Sequence, residues 1–443
     1  MAKVDHIVLD TLRGAQRWLE PWYGAYALLG AVSSGLLPIL LPLMMATVTH
    51  ELLTVGYVIG AFNLGALSSP LWGQWADRRQ VYGRVFFGGF ILEMAALGAF
   101  PLMHGLVWWV PLALLMGAGS AAVATCAILF VVEFHSPSEW TPRIGWLQTF
   151  NGAGQVAGLL LAGLFTSVGY RLGLWVGAGL LAVAAVLGGF SIPTRKRGTG
   201  RSAAAAPAAP RRPGGLALDF SQLERFARVE LLGGGLLKHA SRVNLAGLKN
   251  IARLLPTRFG RFIASWFFVF LGVAGFFAYF PLFLRSSFGV PAASTSLAYA
   301  AAAGGGVLLY NLAGRWSSRF GAGRIYSLGR AVRLIGFLLM LGLMWIPAGP
   351  LKASAAVLAF GLVVLAWPVL SVTGTELTSA LSPIGQGEAQ GLNNAANAVA
   401  TVVGTYLAGS LIHFAGYLCL PLLATGGLAI SLLIDRPRAR GRV

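Results

Sequence analysis

Gly73–Gln74–Trp75–Ala76–Asp77–Arg78–Arg79, running on to Gly83–Arg84, lies between two long apolar runs and packs an acid, three arginines and two glycines into a short connection. A connection this tight calls for glycine where the backbone must bend without a Cβ in the way. Its charges can pair with one another or with neighbouring helix ends. Alone, it reads either as a basic loop anchoring two membrane helices or as a specific hinge. A second copy favours the hinge. Gly314–Arg315–Trp316–Ser317–Ser318–Arg319, followed by Gly321, Gly323 and Arg324, also lies between apolar runs, with Gly314 standing 241 positions after Gly73.

Outward from these two stretches the chain is a series of apolar runs. Each is about 20 residues long, enough to span hydrocarbon. Six occupy 24–46, 53–75, 85–103, 106–132, 144–168 and 173–192, and six more occupy 262–284, 294–316, 325–346, 353–374, 390–414 and 417–434. The expected fold is therefore an all-α polytopic membrane protein, twelve transmembrane helices in two six-helix repeats. Its expected divisions are 1–192 and 262–443 as the two bundles, with 193–261 as a connector. Correspondence between the halves extends beyond the hinges. Ser136–Pro137, Gly145, Asn151, Gly158 and Gly163 recur at a constant offset of 246 as Ser382–Pro383, Gly391, Asn397, Gly404 and Gly409. Helices five and eleven thus carry the same small and polar positions, as a parallel-repeat transporter would require for a site between its halves.

This layout, with Gly73, Asp77, Arg78, Gly83 and Arg84 in the first copy and Gly314 and Arg319 in the second, resembles the major facilitator superfamily. Ser318 stands where the second copy's acid would be, and the spacing from Asp77 to Gly83 is looser than the usual pattern. The resemblance implies rocking of two halves around a central cavity. It also implies that Glu133 and Arg143 join Asp77 and Arg78 in a cytoplasmic ion-pair gate. Drug–proton antiporters of the superfamily carry an arginine in helix four and a glycine–proline signature in helix five. Here Ala113 and Gln155 stand at those places, which argues against that subfamily.

The composition agrees with a membrane protein: 443 residues, 56% hydrophobic and 11% charged, with mean hydropathy +0.73, where a soluble chain carries about a quarter charged residues. The net charge of +19 is topological. From a cytoplasmic start, only Arg171, Arg285 and Lys352 of the 33 Lys and Arg residues fall on the outer side, a strong positive-inside bias. Both termini and both hinges are expected in the cytoplasm of a bacterium, the chain crossing its inner membrane many times. The basic surface is expected to meet the anionic inner leaflet and not nucleic acid. The connector opens with Arg195–Lys196–Arg197 and an Ala/Pro-rich stretch, then offers two amphipathic basic helices suited to lie on that leaflet. Docking of a soluble partner there is the other reading.

Cys126 and Cys419 fall inside apolar runs and read as packing residues. The six histidines are scattered. With no nucleophile–base constellation and no phosphate loop, neither an enzyme nor a metal or cofactor site is expected. Glu93, deep in the third run, is a proton-coupling candidate because ionisable groups at that depth mark proton or substrate paths. Glu376, near the end of the tenth, is a second candidate or a gate residue. Arg330 and Arg333 are expected to snorkel to phosphate. Tyr26, Gln148, Asn151, Trp367, Asn394 and Asn397 are the substrate-cavity candidates, either contacting solute or simply bonding helix to helix. Neutral amides and hydroxyls beside tryptophan suit a neutral or amphipathic small organic solute. The expected function is a secondary active transporter, with proton-linked efflux preferred because the cavity lacks a fixed charge for an anionic nutrient. A proton-coupled uptake symporter is the alternative, and a non-transporting sensor or scaffold is the reading from another class.

Overall fold

The computed structural model describes residues 19–49, 51–135, 137–191, 256–383 and 386–435. These form twelve long helices and, among the described residues, no strand. They are α1 (Tyr23–Thr49), α2 (Leu52–Ala66, continued past a turn by Ser69–Arg79), α3 (Tyr82–Ala99), α4 (Leu106–Phe134), α5 (Pro137–Val168) and α6 (Tyr170–Ser191). The second set is α7 (Arg258–Phe288), α8 (Ala292–Phe320), α9 (Ala322–Leu343), α10 (Pro350–Leu381), α11 (Gln386–Ala415) and α12 (Cys419–Ile434). Among the described residues ten stretches are long and apolar enough to cross a membrane; one of them, Leu392–Ile434, holds most of α11 and all of α12, and the helix left out is α3. That helix is shorter and carries Arg84 and Glu93. The connector lies outside the described residues up to position 255. Helix α7 begins four residues before the apolar run because the Thr257 hydroxyl accepts a hydrogen bond from the Gly260 N–H at 3.0 Å, capping its first turn.

Both halves are assembled by the same pairings. In the first, α1 packs on α5, α2 on α4, and α3 on α4 and α6; in the second, α7 packs on α11, α8 on α10, and α9 on α10 and α12. Small residues permit the closest crossings, as expected where lipid supplies no hydrophobic drive between helices. A Cβ added to Gly158 would lie 1.9 Å from the Ala31 carbonyl oxygen, and one added to Gly404 would lie 2.0 Å from that of Leu271. The 246-residue repeat is therefore a repeated contact, α5 on α1 and α11 on α7.

The hinges differ from the expected loops. Gly73 to Arg79 is helical, and so is Gly314 to Phe320. No breaker follows Gly73, so the helix runs on to Arg79, and the chain turns at Gln80 (φ 52°), with the Val81 N–H closing onto the Ala76 carbonyl at 3.1 Å. This left-handed cap is the usual helix stop, made here by a residue other than glycine. The second reversal uses Gly321 at φ 90°. What breaks α2 is earlier: the helix pauses at Leu67–Ser68 and restarts at Ser69–Pro70, where proline suits a first turn and disfavours helix before it.

With twelve crossings, Tyr23 and Ile434 share one face of the bundle with the hinges, here called the terminal face. On the opposite face the halves touch. Tyr279 of α7 donates to the Leu52 carbonyl of α2 at 3.0 Å, and Ser296 of α8 donates to the Leu159 carbonyl of α5. Tyr57 and Tyr406 meet at 5.6 Å between ring centroids. Toward the terminal face, Gln148, Asn394, Thr375 and Glu376 are exposed.

Candidate functional site

The midplane holds a run of polar side chains that crosses from one half to the other. It starts at Glu93, fully buried, whose Oε1 accepts from Ser33 Oγ at 2.5 Å while Oε2 has no hydrogen-bond partner. Ser33 belongs to Gly30–Leu36, a π-helical stretch of α1. Such widened turns release backbone groups and commonly sit at functional positions. The stretch is held against α5 by Gly30 and Gly35, where an added Cβ would lie 2.3 Å from Asn151 O and 2.6 Å from Gln155 O. Gln155 Nε2 in turn donates to the Ser34 carbonyl at 3.3 Å. Gln155 also meets Tyr299 of α8, and Tyr299 lies within electrostatic range of the Arg333 guanidinium of α9. Ser33, Ser34, Gln155, Tyr299 and Trp367 are half-buried.

Arg330 and Arg333 overturn the snorkelling expectation. They are 1% and 2% exposed and turn into the bundle. Arg330 pairs with Asp435 at 2.5 Å and is further bonded to Ser265, Ser431 and Ser327. Arg333 donates through Nε to the Val363 carbonyl at 3.2 Å and lies over the Trp367 ring at 5.8 Å. Among the described residues no carboxylate pairs with it. Sequence reasoning treated the two alike because both lie toward the hinge end of one helix. Only packing shows that one has an acid and the other faces aromatic rings.

Of the cavity candidates, Gln148 and Asn394 are exposed, Asn151, Asn397 and Trp367 are half-buried, and Tyr26 is buried. Tyr26 lies behind Gln148, and Asn151 donates to its carbonyl at 3.4 Å. Asn397 is held by Thr401, which donates to its backbone carbonyl at 2.9 Å. Trp367 packs edge-on to Phe270 with ring centroids 5.5 Å apart. Trp266 is 4% exposed and stacked on Tyr326, so it belongs to the core of the second half. A cleft of about 410 Å³ lies away from all of these, between α8 and α10 at the opposite face, lined mostly by apolar side chains such as Val290, Val357 and Leu358.

At the terminal face Arg143 is paired with two acids that the sequence reading did not name. Its Nη1 reaches Glu20 at 2.6 Å and its Nε reaches Glu139 at 2.9 Å. His135 also meets Glu20, at 2.7 Å, whereas Glu133 is exposed. Glu139 stands one turn before Arg143 on the same face of α5. Glu20 was missed because it precedes the first apolar run. The side chains of Asp77 and Arg78 lie outside the described residues. Gly73 and Gly83 are half-buried, and Arg84 and Arg319 are exposed. Gly314 has open space where a side chain would stand. In the second half Ser317 donates to Glu376, so the acid absent at Ser318 is present from α10.

A family model for the major facilitator superfamily matches residues 23–383. The chain belongs to this superfamily. It is a multi-pass membrane transporter. Solved structures of the family share its fold at low identity. The nucleoside transporter NupG is 15% identical, covering 94% of this chain and 95% of its own, with a TM-score of 0.65. A D-xylose–proton symporter is 14% identical over 96% of this chain and 98% of its own, at 0.66. A bacterial homologue of the human lysosomal transporter Spinster, solved inward-facing and unoccupied, is 14% identical over 93% and 92%, at 0.63. No curated protein sequence matches the chain.

Proposed function

We propose that this member of the superfamily is a proton-linked secondary transporter that moves a small organic solute by alternating access between its two bundles. The observation that carries this reading is the polar run from Glu93 to Arg333, which crosses between the halves at mid-depth with an unpartnered carboxylate oxygen at one end. An ionisable group held that deep without an ion pair is expensive and marks a proton or substrate path. With the basic hinges placed in a bacterial cytoplasm against anionic lipid, both termini are cytoplasmic and the state described is open inward. The outer side is closed by Tyr279, Ser296 and the Tyr57–Tyr406 contact. The connector is assigned to the cytoplasmic surface between bundles 1–192 and 262–443.

The preference for efflux rested on a cavity without fixed charge. Arg333 removes that ground, and uptake with protons becomes the reading that the geometry favours. Glu376 near the inner surface is assigned with Ser317 to the gate, and Glu93 to proton exchange. Gln148, Asn151, Asn394, Asn397 and Trp367 line the inward opening. Gly73, Asp77, Arg78, Gly83, Arg84, Arg143, Gly314 and Arg319 make up the inner gate, with Glu20 and Glu139 as the acids for Arg143.

The test is flux in liposomes of purified protein, with and without a pH gradient, across neutral and charged solutes. Accumulation that follows the proton gradient and disappears in Glu93→Gln is the expected result. Accumulation that persists in that variant removes Glu93 from coupling. Asp77→Asn should slow transport with expression intact; wild-type rates would remove the gate assignment.

A further inference from the structure

The two halves place opposite charges at the same address. Counted from the first residue of its helix, Glu93 is the twelfth residue of α3 and Arg333 the twelfth of α9. Their neighbours correspond as well. Glu93 backs onto Gly119, where an added Cβ would lie 3.0 Å from Glu93 Cβ, and Arg333 donates to Val363; these are each the fourteenth residue, of α4 and α10 respectively. Both side chains are almost wholly buried, and neither has an ion-pair partner among the described residues.

The groups facing each are few. Glu93 meets Ser33 from α1 and Gly119 from α4, and α6 carries no charged residue after Arg171. Arg333 meets Val363 and Trp367 from α10, and Tyr299 of α8 and Tyr326 of its own helix lie within electrostatic range of it. Asp435 is already engaged by Arg330 at 2.5 Å. Among the described residues this buried guanidinium has one carbonyl and one indole as its contacts and lacks the counter-ion that burial of a charge demands. Its planar fork matches an oxyanion in two-point contact. Trp367 and Tyr299 are half-buried, and Tyr299 meets Gln155 of the other half.

We propose that Arg333 binds an oxyanion, a carboxylate or phosphate carried by the transported solute, and that Arg333 and Glu93 together tie the passage of one such monoanion to one proton. This rests on the transport reading above. Empty, the pair is a buried cation and a buried anion with no net charge. With solute on Arg333 and a proton on Glu93, the site is again neutral. With only one of the two bound, it carries an uncompensated charge in the membrane interior, which disfavours the occluded state. Charge balance at two repeat-related positions thus enforces co-transport without requiring contact between the solute and the acid.

The experiment uses purified full-length protein. Thermal unfolding is followed with lactate, benzoate, inorganic phosphate, glucose 6-phosphate, glucose, uridine and, separately, short-chain phosphatidylglycerol. A soluble carboxylate or phosphate should stabilise the wild type, with affinity about 30-fold weaker or worse in Arg333→Gln. Arg333→Lys, which keeps the charge but not the fork, should be intermediate and guards against failure of the first variant to fold. No response to any soluble anion, equal responses in wild type and both variants, or stabilisation by the lipid alone would overturn the assignment. In phosphatidylcholine liposomes, uptake of the anion should follow a pH gradient and ignore membrane potential. Glu93→Gln should retain anion exchange while losing the pH drive. Proton-driven flux of a neutral solute, unchanged in Arg333→Gln, would sink the anion inference and leave transport standing. Absence of flux for every solute would sink transport, with the binding data still deciding Arg333.

Discussion

The closure on the opposite face turns on one hydroxyl in a notch between two glycines. Tyr279 Oη lies where a Cβ at either Gly56 or Gly409 would stand, 2.5 Å from each ideal position. The same hydroxyl donates to Leu52 across the halves at 3.0 Å. Tyr279→Phe removes that hydrogen bond, worth about 1 kcal/mol. Gly409→Ala forces the hydroxyl out and overpacks the notch, at about 1–3 kcal/mol. In Tyr279→Phe/Gly409→Ala the nearest obstacles to the new methyl become Gly56 Cα at 3.5 Å and the ring carbon at 3.6 Å, both ordinary contacts. The double variant should therefore resemble Tyr279→Phe alone, with a coupling free energy of about 1 kcal/mol or more. Because the contact exists only while this face is closed, the closed population should fall roughly 5- to 150-fold in Gly409→Ala. Spin labels at Val48 and Ser286, both exposed on this face, report that population as a distance distribution. A silent Gly409→Ala, or strictly additive effects in the double variant, would refute the reasoning.

Three further outcomes follow from packing and charge. Gly158→Ala should lower the yield and thermal stability of folded protein by about 1–3 kcal/mol, since its methyl would meet Ala31 O at 1.9 Å; Gly314→Ala, in open space, should leave melting unchanged. Asp435→Asn leaves Arg330 buried without its acid and should cost about 3 kcal/mol in denaturation, with the Arg330→Met/Asp435→Asn double variant recovering part of it. Gln80 at φ 52° should accept glycine without loss, while Gln80→Val should lose about 1–2 kcal/mol, since a β-branched residue is disfavoured at positive φ.

Much of the fold was legible because the bilayer imposes it. Length, hydropathy and the asymmetry of Lys and Arg are properties of residue order, and a helix that must satisfy its own backbone in lipid leaves few alternatives. The repeat was legible because Gly158 and Gly404 have to be small for the same reason in both halves. The hinges were misread as loops because Gly73 and Gly314 were taken as the marks of a turn, when the turns belong to Gln80 and Gly321. Glu93 could be found from its depth in an apolar run, whereas Arg333 could not, since distance along a helix does not say which way a long side chain points. Of the two acids of Arg143, Glu20 was also out of reach, because it is over a hundred positions away; Glu139, one turn before it, was not.

Residue order by itself determined that this chain is a twelve-helix, two-fold repeated membrane bundle with its basic hinges on one side. Hydrophobic length and small-residue spacing act locally, one helix at a time. The tertiary structure alone decided which face is closed, which arginine has an acid, and that a buried acid and a buried base occupy equivalent places in the two halves. Those facts depend on distances between helices far apart in the chain, and no local pattern carries them.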